Sequence, residues 1–193
     1  MKSAFSPWDF FHAFEIKFKL FFLSGHKAKY DQNGNLVTHP KGHEITYNNR
    51  GHVSSVQLGS KTVTYLYDDK GRLISRQVDN EIMQFFYGHI GQPHLISHVY
   101  KPQEGQLTSL IYHEGRLIFV ADDSNEYYVV TDINGSPLLI LTAEGQIVKE
   151  VTRTPFGLVT YDSNQDLLVP IGFHGGYYDS LVNLVHFQVR LSH

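Results

Sequence analysis

The chain has 193 residues, enough for one sizeable core, with 41% hydrophobic residues and a net charge of −3. Charged residues make up only 18% and form no long basic run, which excludes the electrostatic footprint that nucleic-acid binding needs. The absence of cysteine excludes a disulfide framework, thiolate zinc sites and thiol nucleophiles, and no apolar run approaches the roughly 20 residues that span a bilayer.

Residues 1–28 differ from the rest. Phe5, Trp8, Phe10, Phe11, Phe14, Phe18, Phe21 and Phe22 crowd this stretch. Ser6 as N-cap and Pro7 at the first helical position predict a helix from about Pro7 to Leu23, ended by Gly25. Lys17 and Lys19 beside aromatics would suit an interfacial membrane helix, but the charged face is thin, so a helix packed on the following domain, or a segment with no role in the fold, is expected. Leu20 to Leu23 is too short for a secretory h-region and no clean cleavage site follows it.

From Lys29 onward the period becomes that of strands. Glu44–Tyr47, Thr62–Tyr67, Glu126–Val130 and Gln146–Lys149 are rich in β-branched and aromatic residues, with Val63, Tyr65 and Tyr67 on one face. They are punctuated by a recurring unit of tyrosine, polar turn residues, glycine, a spacer and an aliphatic. It runs from Tyr30 and Asp31 through Gly34 to Leu36, from Tyr47 through Gly51 to Val53, and from Tyr67 and Asp68 through Gly71 to Leu73. Looser copies follow at Tyr87 to Gly91, Tyr112 to Gly115, Thr131 and Asp132 to Gly135, and Leu141 to Gly145. Between them lie variable turns at Pro40–Gly42, Gly59–Lys61, Asp79–Asn80 and Asp122–Asn125. An Asp or Asn after the tyrosine can bond the backbone two residues on, and glycine supplies a positive φ. The tyrosine ends one strand and the aliphatic opens the next, so the two can face each other across a hairpin. A step near twenty residues marks an array, here an all-β meander of about 12 to 14 short strands.

The ordered Y-D-x-x-G-x-L units resemble the YD repeats of teneurins and of bacterial Rhs and toxin-complex proteins. The terminal block, Gly172, Gly175, Gly176, Tyr178 and Asp179 followed by Leu181, Val182 and His186, looks like the segment that closes such repeat regions. Gln84–Tyr87, the Pro93 loop, Thr108–Tyr112 and Thr131–Leu138 are more similar to animal teneurins than to Rhs proteins. The resemblance covers residues 29–193 and leaves 1–28 unmatched. It implies hairpins curving into part of a barrel-like shell, within the extracellular part of a single-pass plasma-membrane protein. It also implies a non-catalytic role in cell–cell adhesion, signalling and neuronal development, with latrophilin-type adhesion receptors or other teneurins as partners. The alternative is a wall fragment of an Rhs-type toxin-encapsulating shell. A carbohydrate-binding or carbohydrate-active β-protein is the third reading. The chain stops at Arg190–His193, before the R-D-Y-D element with which the family continues, so a fragment, a truncated product or a free-standing derivative is expected.

No residue pattern points to chemistry. His39 with His43, His94 with His98 on one strand face, and His174 with His186 are the histidine groupings, and no H-E-x-x-H accompanies them. There is no G-x-S-x-G, and Asp68 with Asp69 and Asp122 with Asp123 sit as turn formers. Gly172–Gly176 lacks the setting of a phosphate loop and reads as close backbone packing. The expectation is no cofactor, no metal and no catalysis. Asn134-Gly135-Ser136 is a formal glycosylation sequon whose following Pro137 and tight turn argue against use.

Overall fold

A computed structural model describes residues 27–167 and 169–187. The strands are β1 (Lys29–Tyr30), β2 (Leu36–Thr38), β3 (Glu44–Tyr47), β4 (Val53–Leu58), β5 (Lys61–Tyr67), β6 (Leu73–Val78) and β7 (Glu81–Phe86). There follow β8 (His98–Lys101), β9 (Gln106–His113), β10 (Arg116–Ala121), β11 (Glu126–Thr131), β12 (Pro137–Leu141), β13 (Ile147–Arg153) and β14 (Val159–Asp162). The order in the sheet is the order in the chain, as in a meander. Beyond it β15 (Tyr177–Asp179) and β16 (Leu184–His186) form a separate hairpin. The helix predicted over Pro7 to Leu23 lies outside the described residues. By contact density the chain divides within β5, between Thr64 and Tyr65, into two units.

One turn design recurs. At Asp31, His39, Asn48, Asp68, Asp132, Thr142 and Thr154 the residue's N–H bonds the carbonyl four positions on, at 2.8–2.9 Å. The glycine three positions on donates back to its carbonyl, at 2.7–3.1 Å. That glycine (34, 42, 51, 71, 135, 145 or 157) has φ between 78° and 86°, the left-handed region that a Cβ disfavours. The side chain completes the turn. Asp68 Oδ1 accepts from the N–H groups of Lys70 (3.0 Å) and Arg72 (2.8 Å), and Asp31, Asn48 and Asp132 do the same in their own turns. Residues six apart then face each other across the hairpin, as Tyr30 with Leu36, Thr38 with Glu44, Tyr47 with Val53, Thr131 with Pro137, Leu141 with Ile147 and Arg153 with Val159. Tyrosine hydroxyls tie one repeat to the one before it. Tyr47 donates to the Leu36 carbonyl (3.0 Å) and Tyr87 to that of Leu73 (2.7 Å).

Several sequence assignments change. Pro40–Gly42 belongs to the main turn class, with His39 Nδ1 accepting the Lys41 N–H in place of a carboxylate. Thr154–Gly157 is a further member. Tyr87–Gly91 is not. Gly88 follows the tyrosine and has no side chain to bond forward, so its N–H goes to Ser97 Oγ (2.7 Å) and residues 87–97 form one long loop. His94 lies in that loop, away from the strand that carries His98. Arg72 anchors the loop by donating to the Pro93 carbonyl (2.9 Å) and lying over the Tyr87 ring. At Tyr112–Gly115 only Glu114 and Gly115 separate paired His113 and Arg116, so both take positive φ in a two-residue hairpin turn.

Strand alternation builds the cores. In the first unit Ile45, Val56 and Val63 sit side by side across three strands and are buried. In the second, buried Val129 and Ile140 lead to Lys149, also buried. The Lys149 ammonium donates to Asp162 Oδ2 (2.9 Å) and the carbonyls of Asn164 (2.6 Å) and Leu167 (2.9 Å), filling its three donor positions. The turn design makes a specific demand at Gly51, where an added Cβ would meet nothing within 4 Å. Gly51→Ala is therefore expected to cost about 1–2 kcal/mol through backbone strain alone, and Gly51→Asn less, by denaturant unfolding. Equal losses would show that the left-handed backbone is not the cause.

Candidate functional site: a sealed polar cluster and an open apolar face

The terminal block begins with the same turn again. Gly172 N–H bonds the Gly176 carbonyl (2.8 Å), Gly175 N–H bonds back to Gly172 (3.2 Å), and Ile171 faces Tyr177 six positions on. Here Gly172 replaces the carboxylate residue, because a Cβ there would come within 2.6 Å of the Tyr178 Cβ. At Gly176 it would lie 2.5 Å from Val185 Cγ1. The turn rests on the 132–135 turn, where Ser136 Oγ, itself buried, accepts the His174 N–H (3.1 Å). Asn134 of the sequon is exposed at the tip of that turn.

In the hairpin, Tyr177 pairs with His186, and Asp179 with Leu184. Alternation buries Tyr177, Asp179 and His186 and leaves Tyr178 half-buried, its hydroxyl donating to Asn183 Oδ1 (2.9 Å). Asp179 is 2% exposed. Its Oδ2 accepts from the Tyr65 hydroxyl (2.7 Å) and Arg76 Nε (2.6 Å), and its Oδ1 from Arg76 Nη2 (3.2 Å) and the Leu181 N–H (3.1 Å). His186 Nδ1 lies 3.1 Å from the Tyr67 hydroxyl, its ring packs on Tyr65 at 4.4 Å, and its Nε2 is buried with no partner. Tyr177 stacks edge-on against Phe85 of β7.

The environment shifts the phenols, the imidazole and the guanidinium. Burial, and then the Asp179 charge, push the Tyr65 and Tyr177 phenols well above their usual range; burial raises Tyr67 as well. Burial lowers His186 to about 4. Burial opposes the charge on Arg76, but the hydrogen bond to Asp179 and the Asp179 charge, with smaller contributions from Tyr177 and Tyr65, together outweigh it and keep the guanidinium above its usual value. At neutral pH the imidazole is neutral and the phenols are protonated.

The structure thus joins three residues singled out from the sequence, Tyr67, Asp179 and His186, and adds Tyr65 and Arg76. Arg76 carried a signal, since it is in phase with buried Val78 and lies across from Met83 of β7. The remaining turn residues, Tyr30, Gly34, Gly51, Gly71, Gly91, Gly115 and Gly145 among them, are not part of this cluster. His39 and His43 stack with ring centroids 5.5 Å apart, both imidazoles lowered chiefly by burial. Asp122 is a turn former, its Oδ1 accepting from Ser124 and Asn125 N–H.

A second feature lies on the opposite side of the β9–β13 strands. Ile111, Phe119, Tyr128, Leu141 and Ile147 are successive cross-strand partners, forming an apolar row over five strands. Ile111, Tyr128 and Ile147 are exposed, and Phe119 meets Tyr128 edge-on at 5.2 Å.

A family model described as the teneurin YD-shell matches residues 20–192. Teneurin-1 of Gallus gallus is 37% identical over 183 residues, covering 92% of this chain and 7% of that protein. Teneurin-m of Drosophila melanogaster is 38% identical over 165 residues, or 83% and 6%. The chain therefore spans less than a tenth of the length of these curated relatives. Among solved structures, a chain of the TcdB2-TccC3-TEV crystal structure matches 78% of this one with a TM-score of 0.59 at 18% identity, and covers 8% of that chain. A chain of TcdB2-TccC3-Cdc42 gives 0.56 at 19%, again over 78% and 8%. At that identity the likeness is one of fold.

The cluster makes a stability prediction. Asp179→Ala leaves the Arg76 guanidinium buried and unpaired, which is expected to cost about 3–5 kcal/mol in urea unfolding. The double change Arg76→Met with Asp179→Leu is expected to unfold closer to wild type than Asp179→Ala does. A double variant as unstable as the single would refute the ion-pair account.

Proposed function

Because this chain belongs to the teneurin YD-shell family, we propose that it serves as a wall section of an extracellular, non-catalytic shell and acts in cell–cell adhesion by presenting a rigid β-face to another protein. The observation that carries this reading is the exposed row from Ile111 to Ile147. Contiguous exposed apolar surface on a sheet is the usual mark of a protein contact, and an aromatic pair such as Phe119 with Tyr128 is a typical anchor. The proposed partners are a latrophilin-type adhesion receptor or another teneurin. The non-catalytic part of the reading is supported by the buried cluster, whose phenols and imidazole are neutral at neutral pH. The proposed location is the extracellular part of a single-pass plasma-membrane protein. Among the described residues no helix is long and apolar enough to cross a membrane.

Tyr128→Ala and Ile147→Asp test the contact. Each is expected to weaken binding of the chain to a latrophilin-type ectodomain or a teneurin ectodomain, measured by biolayer interferometry, at least tenfold, with unfolding midpoints unchanged. Binding to either partner that is insensitive to both changes would remove this face from the reading. No binding of the wild-type chain to either ectodomain would remove the proposed partners.

A further inference from the structure

The hairpin β15–β16 has no hydrogen-bonded strand neighbour in the fourteen-stranded sheet. A lone two-stranded hairpin is marginal in water, and side-chain contacts tie this one to β5–β7. The Tyr178 N–H also bonds the Pro170 carbonyl (3.0 Å), just before the terminal turn. Asp179 is clamped by Tyr65 and Arg76, and the rings of His186 and Tyr177 lie against Tyr65 and Phe85. Tyr177 also donates to Met83 Sδ (3.6 Å).

The groups facing His186 are Tyr65 and Tyr67 of β5, Arg76 of β6, and Tyr177 and Asp179 of β15. A protonated imidazole would carry two N–H donors. One would meet the Tyr67 hydroxyl, the other nothing, because Nε2 has no partner. The Asp179 charge would favour the cation and Arg76 oppose it, but burial outweighs that attraction, and the Asp179 oxygens already accept from Tyr65, Arg76 and Leu181. Lifting of the hairpin and entry of water would supply the acceptor that Nε2 lacks.

We propose that the terminal hairpin is an acid-released latch: proton uptake by His186 detaches β15–β16 from the β5–β7 face while the remaining sheet stays folded. The sign follows from linkage. The imidazole titrates at about 4 when latched and at its ordinary value of 6.5 when freed. The latch is therefore fully stabilised above pH 6.5 and loses that stabilisation as pH falls towards 4. At pH 5 the opening equilibrium is expected to rise about 30-fold over its value at pH 7.5.

Hydrogen exchange read by mass spectrometry on the 193-residue chain tests this, with protection factors corrected for the intrinsic pH dependence. At pH 7.5 the 177–186 peptide is expected to be protected. At pH 5 its protection should fall about 30-fold while that of β9–β13 is retained. His186→Leu, which fills the site and cannot titrate, should keep the peptide protected at pH 5. Unchanged protection of wild type at pH 5, an equal loss across β9–β13, or the same loss in His186→Leu would each overturn the proposal. Should His186→Leu fail to fold, the wild-type imidazole titration by NMR decides: a value below 5 supports the latch and one at 5 or above refutes it.

Discussion

Each recurring hairpin of the sheet depends on one side chain folded back on its own turn. A carboxylate, amide, hydroxyl or imidazole accepts a backbone N–H two or four positions on, glycine turns left, and the chain returns with its partner six residues away. Two N–H groups that would otherwise point into the bend are satisfied where Asp31, Asn48, Asp68 and Asp132 stand. Register in a sheet has a period of two, so a slip of one residue would turn Ile45, Val56 or Ile140 to the wrong face. The turn prevents the slip locally, before any distant contact forms.

The terminal block solves a different problem. Its hairpin cannot borrow backbone hydrogen bonds from the sheet and uses a buried ion pair with a phenol and an imidazole. Such pairs add little net stability over apolar packing, but they penalise every arrangement in which Asp179 misses Arg76. The pair therefore selects one seating of the hairpin. Lys149 performs the same service for residues 163–167, with three acceptors from three different residues.

The meander was legible in the sequence because its signals are local. Tyr47-Asn48-Asn49-Arg50-Gly51 contains everything its turn needs, and the strands on either side end where tyrosine and valine predict. The reading weakened where a different side chain filled the same role. His39 and Thr154 each accept a backbone N–H as Asp68 does, yet neither resembles an aspartate in a pattern. It failed at Gly88, where the accepting group, Ser97, comes from the far end of a loop. The polar cluster was out of reach for the same reason in stronger form. Tyr65 and Asp179 are 114 positions apart, and only their neighbours' alternation hinted that either is buried. The teneurin-like order of the units, by contrast, was visible throughout, and the family match over residues 20–192 agrees with it.

The contact between Arg76 and Asp179 also has a bearing on how such a chain can change length. Turns that set their own register allow a hairpin to be duplicated or lost without disturbing the pairing of its neighbours. The ion pair does not share that tolerance, because its partners stand 103 positions apart with eight of the sheet's strands between them. A gain or loss of one hairpin in that interval would carry the carboxylate past its arginine. The cluster thus counts strands, and it places on the number of repeats a limit that no single repeat contains.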